Sequence, residues 1–416
     1  MSELTAAYPI RTATPDAVRS FLAPAMTAFG DEMSDAEFEV WNHLLEPDRL
    51  VAAFDGEVPI GTAAAYTFRM TVPGGEVTAA GVTAVGVEPG HRRRGVLRSL
   101  MRQQLDDVHG RGEPLAILWA SESVIYQRFG YGLGAQNGSF EIDRDRTAWL
   151  RPWEPEGALR LVDTPEAIAT FPQVYERMRA VTPGALSRSE TWWRWGILHD
   201  AEHMRRGAGP KFRYLYEVDG VAEGYAIYRP KGDWDDRGPK GQVLVVEAMA
   251  VTPRAERAVW GFLFGIDLMR TTKAGRVAVP HPLQLALADP RALGLTVGDG
   301  LWVRLVDLPA ALAARRYGAA GSLVLEVTDA FCPWNAGRWR MTAAGEPGAA
   351  AASVERTEAP AELVVDTTDL AAAYLGAFTL SNLADAGRVE ERTPGALRRA
   401  DALFASARAP WCATIF

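Results

Sequence analysis

Three arginines and a glycine, Arg92 to Gly95, are the residues of this sequence best suited to binding a ligand. They separate an apolar run, Thr83 to Val87, from a segment beginning at Val96 in which apolar residues recur at helical spacing. The amides and the dipole of a helix N-terminus attract anions, a glycine permits close approach, and arginines add positive charge. The pattern therefore predicts a pyrophosphate site between a strand and a helix. A solvated basic helix start is the alternative interpretation.

A weaker copy of this pattern occurs later in the chain. The stretch VAAFDGEVPIGTAAAYTFR is paralleled by YLYEVDGVAEGYAIYRP, and the basic turn HRRRGV becomes RAERAV. Ala258 thereby occupies the position of Gly95. We expect the first copy to bind the ligand and the second copy to serve as a scaffold.

Strands and helices alternate around the basic turn, as in an α/β domain. A hairpin, VAAFDG and IGTAAAYTFRM, is predicted before the turn, and a third strand ends at Val87. After the helix we predict a buried strand, LAILWA, and a short helix ending near Phe129, for which Ser121 to Ser123 offer a cap. Beyond about Gly300 the pattern indicates a third, α+β domain that finishes in WCATIF. Since most termini are polar, we expect this one to be docked.

Length and composition limit the class of protein. The 416 residues predict two or three domains of about 150 residues each. Acidic residues outnumber basic ones, 52 to 44, which argues against a nucleic-acid partner. The first residues lack a signal-peptide pattern and no apolar run is long enough for a membrane span, so a cytoplasmic protein is expected. Cys332 and Cys412 are too few for a disulfide framework and are predicted to be buried thiols.

Other catalytic or metal-binding patterns are weak. No cluster of His, Asp or Glu has the spacing of metal ligands, and we predict no metal. No Ser-His-Asp arrangement is supported by its sequence context. His91, beside the arginines, is expected to be an exposed turn residue rather than a catalytic base.

Two motifs, HRRRG and YQRFGYG, resemble those of the Eis (enhanced intracellular survival) family in the Gcn5-related N-acetyltransferase (GNAT) superfamily. The resemblance includes VGVEPGHRRRGVLRSLM, LWASESVIYQRFGYG and the terminal aromatic residue, and it spans nearly the whole chain. It implies an α/β (α+β) fold with two tandem GNAT-like domains, the second degenerate, and a C-terminal α+β domain similar to sterol carrier proteins. The expected limits are 1–148, 149–298 and 299–416, and the expected assembly is a homohexamer.

The resemblance also implies acetyl-CoA as cosubstrate. In the GNAT fold the strand before the basic turn pairs with the pantetheine arm, and the turn holds the pyrophosphate. Leu97 differs from many members, which have Gly or Ala there, and Ser121 has helix capping as an alternative or additional role. Carried over to this sequence, the expected cofactor-binding residues are Val85, Gly86, Val87, Arg93, Arg94, Gly95, Val96, Leu97, Arg98, Ser121 and Glu122.

Acetyl transfer to an amine needs a neutral nucleophile, a stabilised oxyanion and a proton for the departing thiolate. Tyr126 matches the family's general acid; core packing is the alternative for a tyrosine at helical spacing, and Tyr131 is the local rival. In the family the general base is the terminal carboxylate, here that of Phe416. The apolar tail would anchor this carboxylate, and packing alone is the alternative.

Residues expected to contact the acceptor follow from the same resemblance. An acidic rim suits polycationic amines through charge-assisted hydrogen bonds, although simple solvent exposure also explains Asp31. The chain departs from better-known members at Ala84, where an aromatic residue can line the pocket, at Trp119, where histidine can occur, and at Ile415, where an acidic residue can occur. The expected substrate-binding residues are Phe29, Asp31, Trp41, Ala84 and Trp119.

The leading hypothesis is an acetyl-CoA-dependent N-acetyltransferase acting on primary amines of aminoglycosides or related polyamines, at one or several positions. A non-catalytic scaffold that binds acyl-CoA or lipid, with an apolar cavity in the third domain, is the alternative from a different class. An acceptor lysine in a protein or peptide is a further alternative, because the same chemistry permits it.

Overall fold

The computed structural model describes residues 8–154 and 156–416. Within these residues β-strands form three large sheets and one short two-stranded ribbon. The strands in chain order are β1 (Ile10–Thr12), β2 (Leu50–Asp55), β3 (Val58–Val72), β4 (Gly75–Val87), β5 (Leu115–Trp119), β6 (Gly132–Leu133), β7 (Gln136–Asp143), β8 (Ala158–Leu161), β9 (Phe212–Val218), β10 (Val221–Lys231), β11 (Trp234–Asp235), β12 (Gly238–Pro239), β13 (Gly241–Ala250), β14 (Met269–Val277), β15 (Thr296–Asp299), β16 (Leu301–Leu305), β17 (Arg316–Tyr317), β18 (Gly321–Thr328), β19 (Gly337–Ala344), β20 (Ala350–Arg356), β21 (Leu363–Asp366) and β22 (Val389–Glu391).

Short 3₁₀ turns and one π-helical segment, Trp192–Leu198, supplement the α-helices. The α-helices are α1 (Val18–Phe29), α2 (Asp35–Leu44), α3 (Val96–Gly110), α4 (Ser123–Tyr126), α5 (Thr164–Arg179), α6 (Pro253–Gly265), α7 (Leu283–Ala286), α8 (Leu308–Ala314), α9 (Thr367–Tyr374), α10 (Leu380–Asp385) and α11 (Ala396–Phe404).

Contacts within the chain define two compact units. The first comprises the described residues up to Ala135 together with Gly300–Arg408 and Thr414–Phe416, and the second comprises Gln136–Asp299 and Ala409–Ala413. The predicted domain limits at 148 and 298 divide the chain into consecutive segments, whereas these units are discontinuous in sequence. The limits stay predictions.

The first unit contains the predicted hairpin and the strand before the basic turn. Its seven-stranded sheet has the order β1-β2-β3-β4-β5-β16-β6. A two-residue turn joins β3 to β4, and Gly74 in it has φ 68°, a conformation that glycine adopts without strain. Strand β5 is almost wholly buried, as expected for a continuous apolar run between two neighbours. Helix α3 packs on this sheet through its apolar side, which includes Val96, Leu100, Met101 and Leu105.

The first unit also contains the α+β part predicted after about Gly300. Its six-stranded sheet has the order β17-β20-β19-β18-β21-β22, and helices α8 to α11 belong to the same segment of the chain. The three last residues join this unit, and Thr414 is completely buried. The expectation of a docked terminus is therefore confirmed. Cys332, in this unit, is a buried free thiol as predicted.

The second unit has a seven-stranded sheet of its own, in the order β15-β7-β14-β13-β10-β9-β8. Helix α6 connects the parallel strands β13 and β14 and buries Val259 and Leu263 in the core of the unit. This arrangement repeats β4, α3 and β5 of the first unit, as the internal sequence repeat predicts. Cys412 is also buried and forms no disulfide. None of the helices formed by residues 8–154 and 156–416 has the length and hydrophobicity of a membrane-spanning segment.

Candidate active site

Strands β4 and β5 separate at the centre of the first sheet. They pair in parallel at only three positions, from Ala79 with Leu115 to Gly81 with Ile117, although β4 continues to Val87. The other edge of β5 pairs with β16 along its whole length. The edge of β4 beyond Gly81 therefore has no strand partner on the β5 side in the described register. Its N–H and C=O groups are available to a ligand that carries amide groups.

A β-bulge bends the end of β4. Thr62 pairs with Gly86 and Ala64 pairs with Thr83, so Ala84 and Val85 together lie opposite a single residue of β3. Ala84 adopts φ 49° and is buried. The bulge changes the direction of the strand at Val85, the first of the residues expected to pair with pantetheine.

The basic turn ends in an uncapped helix N-terminus. Gly95 is the N-cap of α3, has φ 84°, and no side chain caps the first turn. Positive φ is accessible to glycine at little cost, so Gly95 lets the chain enter the helix sharply. The first amides of α3 are thus left for a ligand or water, which is the arrangement that binds anions.

The second copy of the pattern lacks this opening. Helix α6 begins earlier, at Pro253, and the hydroxyl of Thr252 accepts a hydrogen bond from the amide of Ala255. The residues corresponding to the basic turn are consequently wound into the helix. Glu256 occupies the position of Arg93. Its carboxylate accepts a hydrogen bond from the indole of Trp260, and burial raises the pKa of that carboxyl group to about 7. An internal cap and an acidic residue explain physically why this copy is unsuited to a pyrophosphate.

A cavity of about 470 Å³ opens between the free edge of β4, the start of α3 and helix α4. Ten of the eleven expected cofactor-binding residues line it; the exception is Arg94, which is exposed. Tyr126 and Phe29 line it as well, whereas Asp31, Trp41, Ala84, Trp119 and Phe416 do not. The lining residues are Ala28, Phe29, Val85, Gly86, Val87, His91, Arg92, Arg93, Gly95, Val96, Leu97, Arg98, Ser121, Glu122, Ile125, Tyr126, Arg128 and Phe129.

The expected cofactor-binding residues did not include several of these lining residues. Arg92 belonged to the basic turn selected from the sequence but not to that list, and its side chain donates to the carbonyl of Ala28 at 3.3 Å. His91 is half-buried and lies 3.3 Å from a carboxylate oxygen of Asp55, so the expectation of an exposed residue was wrong. For Arg128 the available signal was its position close behind Tyr126, because a cation beside a predicted anion site is noteworthy. Ala28 offers no such signal, because α1 reaches the cavity only through the tertiary fold.

Tyr126 and its rival Tyr131 have different surroundings. Tyr126 is 6% exposed and lines the cavity, and burial, with a smaller effect of Glu122, raises the pKa of its phenol to about 12. Tyr131 is completely buried, does not line the cavity, and its hydroxyl has no hydrogen-bond partner among the described residues. Of the two, Tyr126 is placed to meet a ligand, with its proton retained at neutral pH.

Ser121 does not cap α4. The N-cap residue is Glu122, and no side chain accepts a hydrogen bond there. Ser121 is exposed and lines the cavity, so the alternative interpretation of Ser121 as a helix cap was wrong. Glu122 has the extended backbone conformation of an N-cap residue.

The last residues of the chain lie where β4 and β5 begin to separate. The indole N–H of Trp119, at the end of β5, donates to the carbonyl of Thr414 at 3.0 Å. The ring of Phe416 packs against Phe68 with 5.2 Å between ring centroids. A Cβ added to Gly81 would lie 3.2 Å from that ring, so glycine leaves room for it. Trp119, expected to contact the acceptor, thus holds the terminal segment.

The expected acceptor-binding residues of the first helical region are spread out. Phe29 ends α1, is 56% exposed and lies at the cavity. Asp31 lies in the exposed segment after α1, where its carboxylate accepts a hydrogen bond from the backbone amide of Glu32 at 2.9 Å. Trp41 is half-buried in α2. Among them Phe29 is the residue that the fold brings to the cavity wall.

Family models match three segments of the chain. An acetyltransferase (GNAT) domain model matches residues 9–134, and a second model of that description matches residues 184–305. A sterol carrier protein domain model matches residues 308–413. The predicted fold class, two GNAT domains followed by a sterol-carrier-like domain, is confirmed.

The chain is also similar over most of its length to individual proteins. It is 44% identical to an uncharacterized N-acetyltransferase of Streptomyces avermitilis, over 90% of this chain and 91% of that relative. It is 35% identical to the N-acetyltransferase Eis of Mycobacterium tuberculosis, over 92% and 93% of the two chains. The crystal structure of Eis1 from Mycobacterium abscessus is 35% identical, with a TM-score of 0.82 and coverage of 98% and 100%. A GCN5-related N-acetyltransferase from Anabaena variabilis, at 21% identity and a TM-score of 0.84, shares the fold.

The splayed strands, the uncapped helix after the basic turn and these full-length similarities agree with one another. The chain belongs to the Eis family of GNAT N-acetyltransferases.

Proposed function

We propose that this N-acetyltransferase transfers acetyl groups from acetyl-CoA to primary amines of aminoglycosides or related polyamines, at one or several positions. The observation that carries the proposal is the cavity in which the free edge of β4, the uncapped start of α3 and Tyr126 meet. Each of the three fits a different part of the reaction: an amide-bearing arm, a pyrophosphate and a departing thiolate.

The chain's own residues bind and orient the cosubstrate in this proposal. Backbone groups of Val85 to Val87 pair with the pantetheine amides as a neighbouring strand would. The amides from Gly95 onward and the side chain of Arg93 hold the pyrophosphate, where the helix dipole adds to their charge. Bound acetyl-CoA supplies the thioester carbonyl that the acceptor amine attacks. Ser121 and Glu122 flank the site beyond the end of β5.

Two proton transfers complete the proposed reaction. The acceptor amine must lose a proton as its nitrogen bonds to the acetyl carbon, and the terminal carboxylate of Phe416 accepts it. As the C–S bond breaks, Tyr126 donates its phenolic proton to the sulfur of the thiolate. The docking of Thr414 by Trp119 and of the Phe416 ring by Phe68 supports this assignment, because it fixes the terminal residue beside the separating strands. These are acid–base steps, for which we predict no metal.

A cationic acceptor is supported by the surroundings of the cavity. Phe29 offers an exposed ring at its wall, and Asp31 offers a carboxylate two residues further on. A carboxylate in contact with solvent can exchange water for an ammonium group at modest cost. Trp41, Ala84 and Trp119 remain proposed acceptor contacts on the family pattern. A homohexamer in the cytoplasm completes the proposal and is checked by sedimentation analysis and fractionation.

The proposal is tested by measuring CoA release from acetyl-CoA with a panel of aminoglycosides, polyamines and lysine peptides. We expect release with the polycationic small molecules, loss of release in the Tyr126→Ala variant, and product masses that count the acetyl groups. Release with lysine peptides alone would replace the acceptor class. Acetyl-CoA binding with no release for any amine would favour the alternative of a non-catalytic acyl-CoA or lipid-binding scaffold.

Arg93 and Arg94 form a matched pair for testing the pyrophosphate site. Arg93 lines the cavity and Arg94, its neighbour, does not. We expect Arg93→Ala to raise KM for acetyl-CoA about tenfold with kcat little changed, because a charge-assisted contact contributes about 1.5–3 kcal/mol of binding. Arg94→Ala should shift KM less than about twofold, since only a screened, distant charge is removed. Steady-state kinetics at fixed salt measures both, and equal effects of the two substitutions would contradict this placement.

A further inference from the structure

The segment that follows Tyr126 is held by a residue far away in the sequence. Gly130 has φ 84°, and a Cβ placed there would lie 2.3 Å from Nη1 and 2.5 Å from Cζ of Arg304. The guanidinium group therefore packs directly on the backbone of Gly130. Two backbone hydrogen bonds, Gly130 to Gln127 at 2.9 Å and Tyr131 to Tyr126 at 3.3 Å, tie this backbone to the end of α4.

Burying the charged side chain of Arg304 carries a desolvation penalty that an apolar side chain in the same place would not. Its side chain is completely buried, and it lies on β16 between β5 and β6. One nitrogen donates to a carboxylate oxygen of Asp329 at 2.6 Å, while Nε and Nη1 have no hydrogen-bond partner among the described residues. A buried charge with unfilled donors is usually less stabilising than an apolar side chain of the same size. Packing alone therefore gives no reason for an arginine here.

The carboxylate that holds Arg304 is itself fixed. Oδ1 of Asp329 accepts hydrogen bonds from the backbone amides of Phe331 and Cys332 at 3.2 and 2.8 Å. Oδ2, which binds Arg304, also accepts a hydrogen bond from the side-chain amide of Asn335 at 3.0 Å. With one nitrogen anchored so firmly, the planar guanidinium has a single orientation against Gly130. Arg304 is thus a rigid support rather than a mobile side chain.

The support reaches Tyr126 in two ways. Through the backbone, a shift of Gly130 moves the turn that begins at Tyr126. Through side chains, the ring of Tyr131 is buried beside Arg304 and meets the ring of Tyr126 edge-on, with centroids 6.0 Å apart. A displacement at either contact would change where the phenol of Tyr126 lies in the cavity.

We propose that Arg304 is a positioning residue for Tyr126. It fixes the position of the phenol by packing against the backbone of Gly130 and by lying beside Tyr131, on the side away from the cavity. This inference rests on the proposed function, in which Tyr126 is the general acid. Arg304 touches neither the cavity nor a reacting atom and acts only through Tyr126.

The test is a double-mutant cycle with a matched control. Arg304→Lys keeps the charge but loses the planar group that lies on Gly130. We expect kcat to fall about tenfold with KM for acetyl-CoA unchanged, because small displacements of a catalytic group are expensive. In the Tyr126→Phe background the same substitution should change kcat by less than about twofold, since the hydroxyl being positioned is absent.

Arg49→Lys is the control. Arg49 is also a buried arginine of the first unit, paired with Glu113 through two hydrogen bonds of 2.8 and 2.6 Å, and it does not line the cavity. We expect Arg49→Lys and Arg304→Lys both to lower the unfolding temperature, and Arg49→Lys to leave kcat within about twofold of the parent. If Arg304→Lys does not fold, Asp329→Asn, which removes the anchoring charge and keeps an amide-accepting oxygen, replaces it in the cycle.

The outcomes distinguish the positioning role of Arg304 from the general-acid role of Tyr126. An unchanged kcat in Arg304→Lys, or an equal fall in both backgrounds, overturns the positioning role, because a general loss of folded protein would lower activity regardless of residue 126. An unchanged kcat in Tyr126→Phe overturns instead the assignment of the general acid. Circular dichroism of every variant confirms that folded proteins are compared.

Discussion

Replacing Tyr126 by Phe is expected to lower kcat about a hundredfold, because the departing thiolate then finds no proton donor beside it. Affinity for acetyl-CoA should stay unchanged, since the aromatic ring still fills the same wall of the cavity. The measurement is kcat for CoA release together with Kd for acetyl-CoA by calorimetry. A fall in affinity without a fall in kcat would assign Tyr126 to binding.

Tyr131→Phe is the matched control for this substitution. It removes a hydroxyl from a neighbouring, completely buried tyrosine whose oxygen has no partner among the described residues. Deleting an unsatisfied buried polar group costs little and can stabilise the fold. We therefore expect kcat within about twofold of the parent. A large loss in Tyr131→Phe would move the catalytic assignment from Tyr126 to its rival.

The pH dependence follows from the direction of the pKa shift at Tyr126. Burial disfavours the phenolate, and the carboxylate of Glu122 adds to this, so the pKa rises from 10 to about 12. The proton-donating form therefore predominates at every pH below about 11. We expect no alkaline loss of kcat from this group between pH 7 and pH 10.5. An alkaline limb near pH 10 that disappears in Tyr126→Phe would contradict the shift.

Adding residues after Phe416 is expected to abolish turnover, with kcat at least about a hundredfold lower, while acetyl-CoA binding stays intact. The added peptide bond converts the terminal carboxylate into an amide, which cannot accept a proton at neutral pH. The contacts of Thr414 with Trp119 and of Phe416 with Phe68 involve groups that the extension leaves unchanged. Kinetics and acetyl-CoA titration of a chain extended by two residues measure the two quantities.

A second variant separates the carboxylate from the ring that carries it. Deleting Phe416 withdraws the carboxylate by one residue, about 3.3 Å in extended chain, and removes the ring that packs on Phe68. We expect it to be as inactive as the extended chain. Ile415→Ala is the control, since this side chain is 55% exposed and its loss leaves the carboxylate in place. Normal rates from the protein with two added C-terminal residues would contradict the assignment of the terminal carboxylate as the base.

Much of the binding site could be predicted because its signals are local. A basic turn between a strand and a helix, with a glycine at its end, requires only neighbouring residues to form. The structure accordingly places Arg93, Gly95 and the residues of the first helical turn on one cavity. The internal repeat was equally informative, because the loss of the glycine at Ala258 accompanies an earlier helix start and a side-chain cap from Thr252.

Other features could not be predicted because they depend on residues distant in the sequence. The hydrogen bond from the indole of Trp119 to the carbonyl of Thr414 joins residues 295 positions apart, and no sequence pattern indicated it. Arg304 has no motif of its own, and its contact with Gly130 exists only because β16 enters the first sheet. Arg94 and Arg93 are equivalent in sequence, and the direction of the turn alone decides which of them lines the cavity.

The sequence by itself determined the segment that forms the ligand cavity, because periodicity, turn residues and helix starts are fixed by neighbouring side chains. The family and the order of the domains followed from the resemblance of its motifs to the Eis family. The tertiary structure decided which tyrosine faces the cavity, where the terminal residues dock and what supports the segment after Tyr126. The physical reason is that burial and cavity walls arise from packing between distant segments, and a one-dimensional pattern carries no record of which segments will meet.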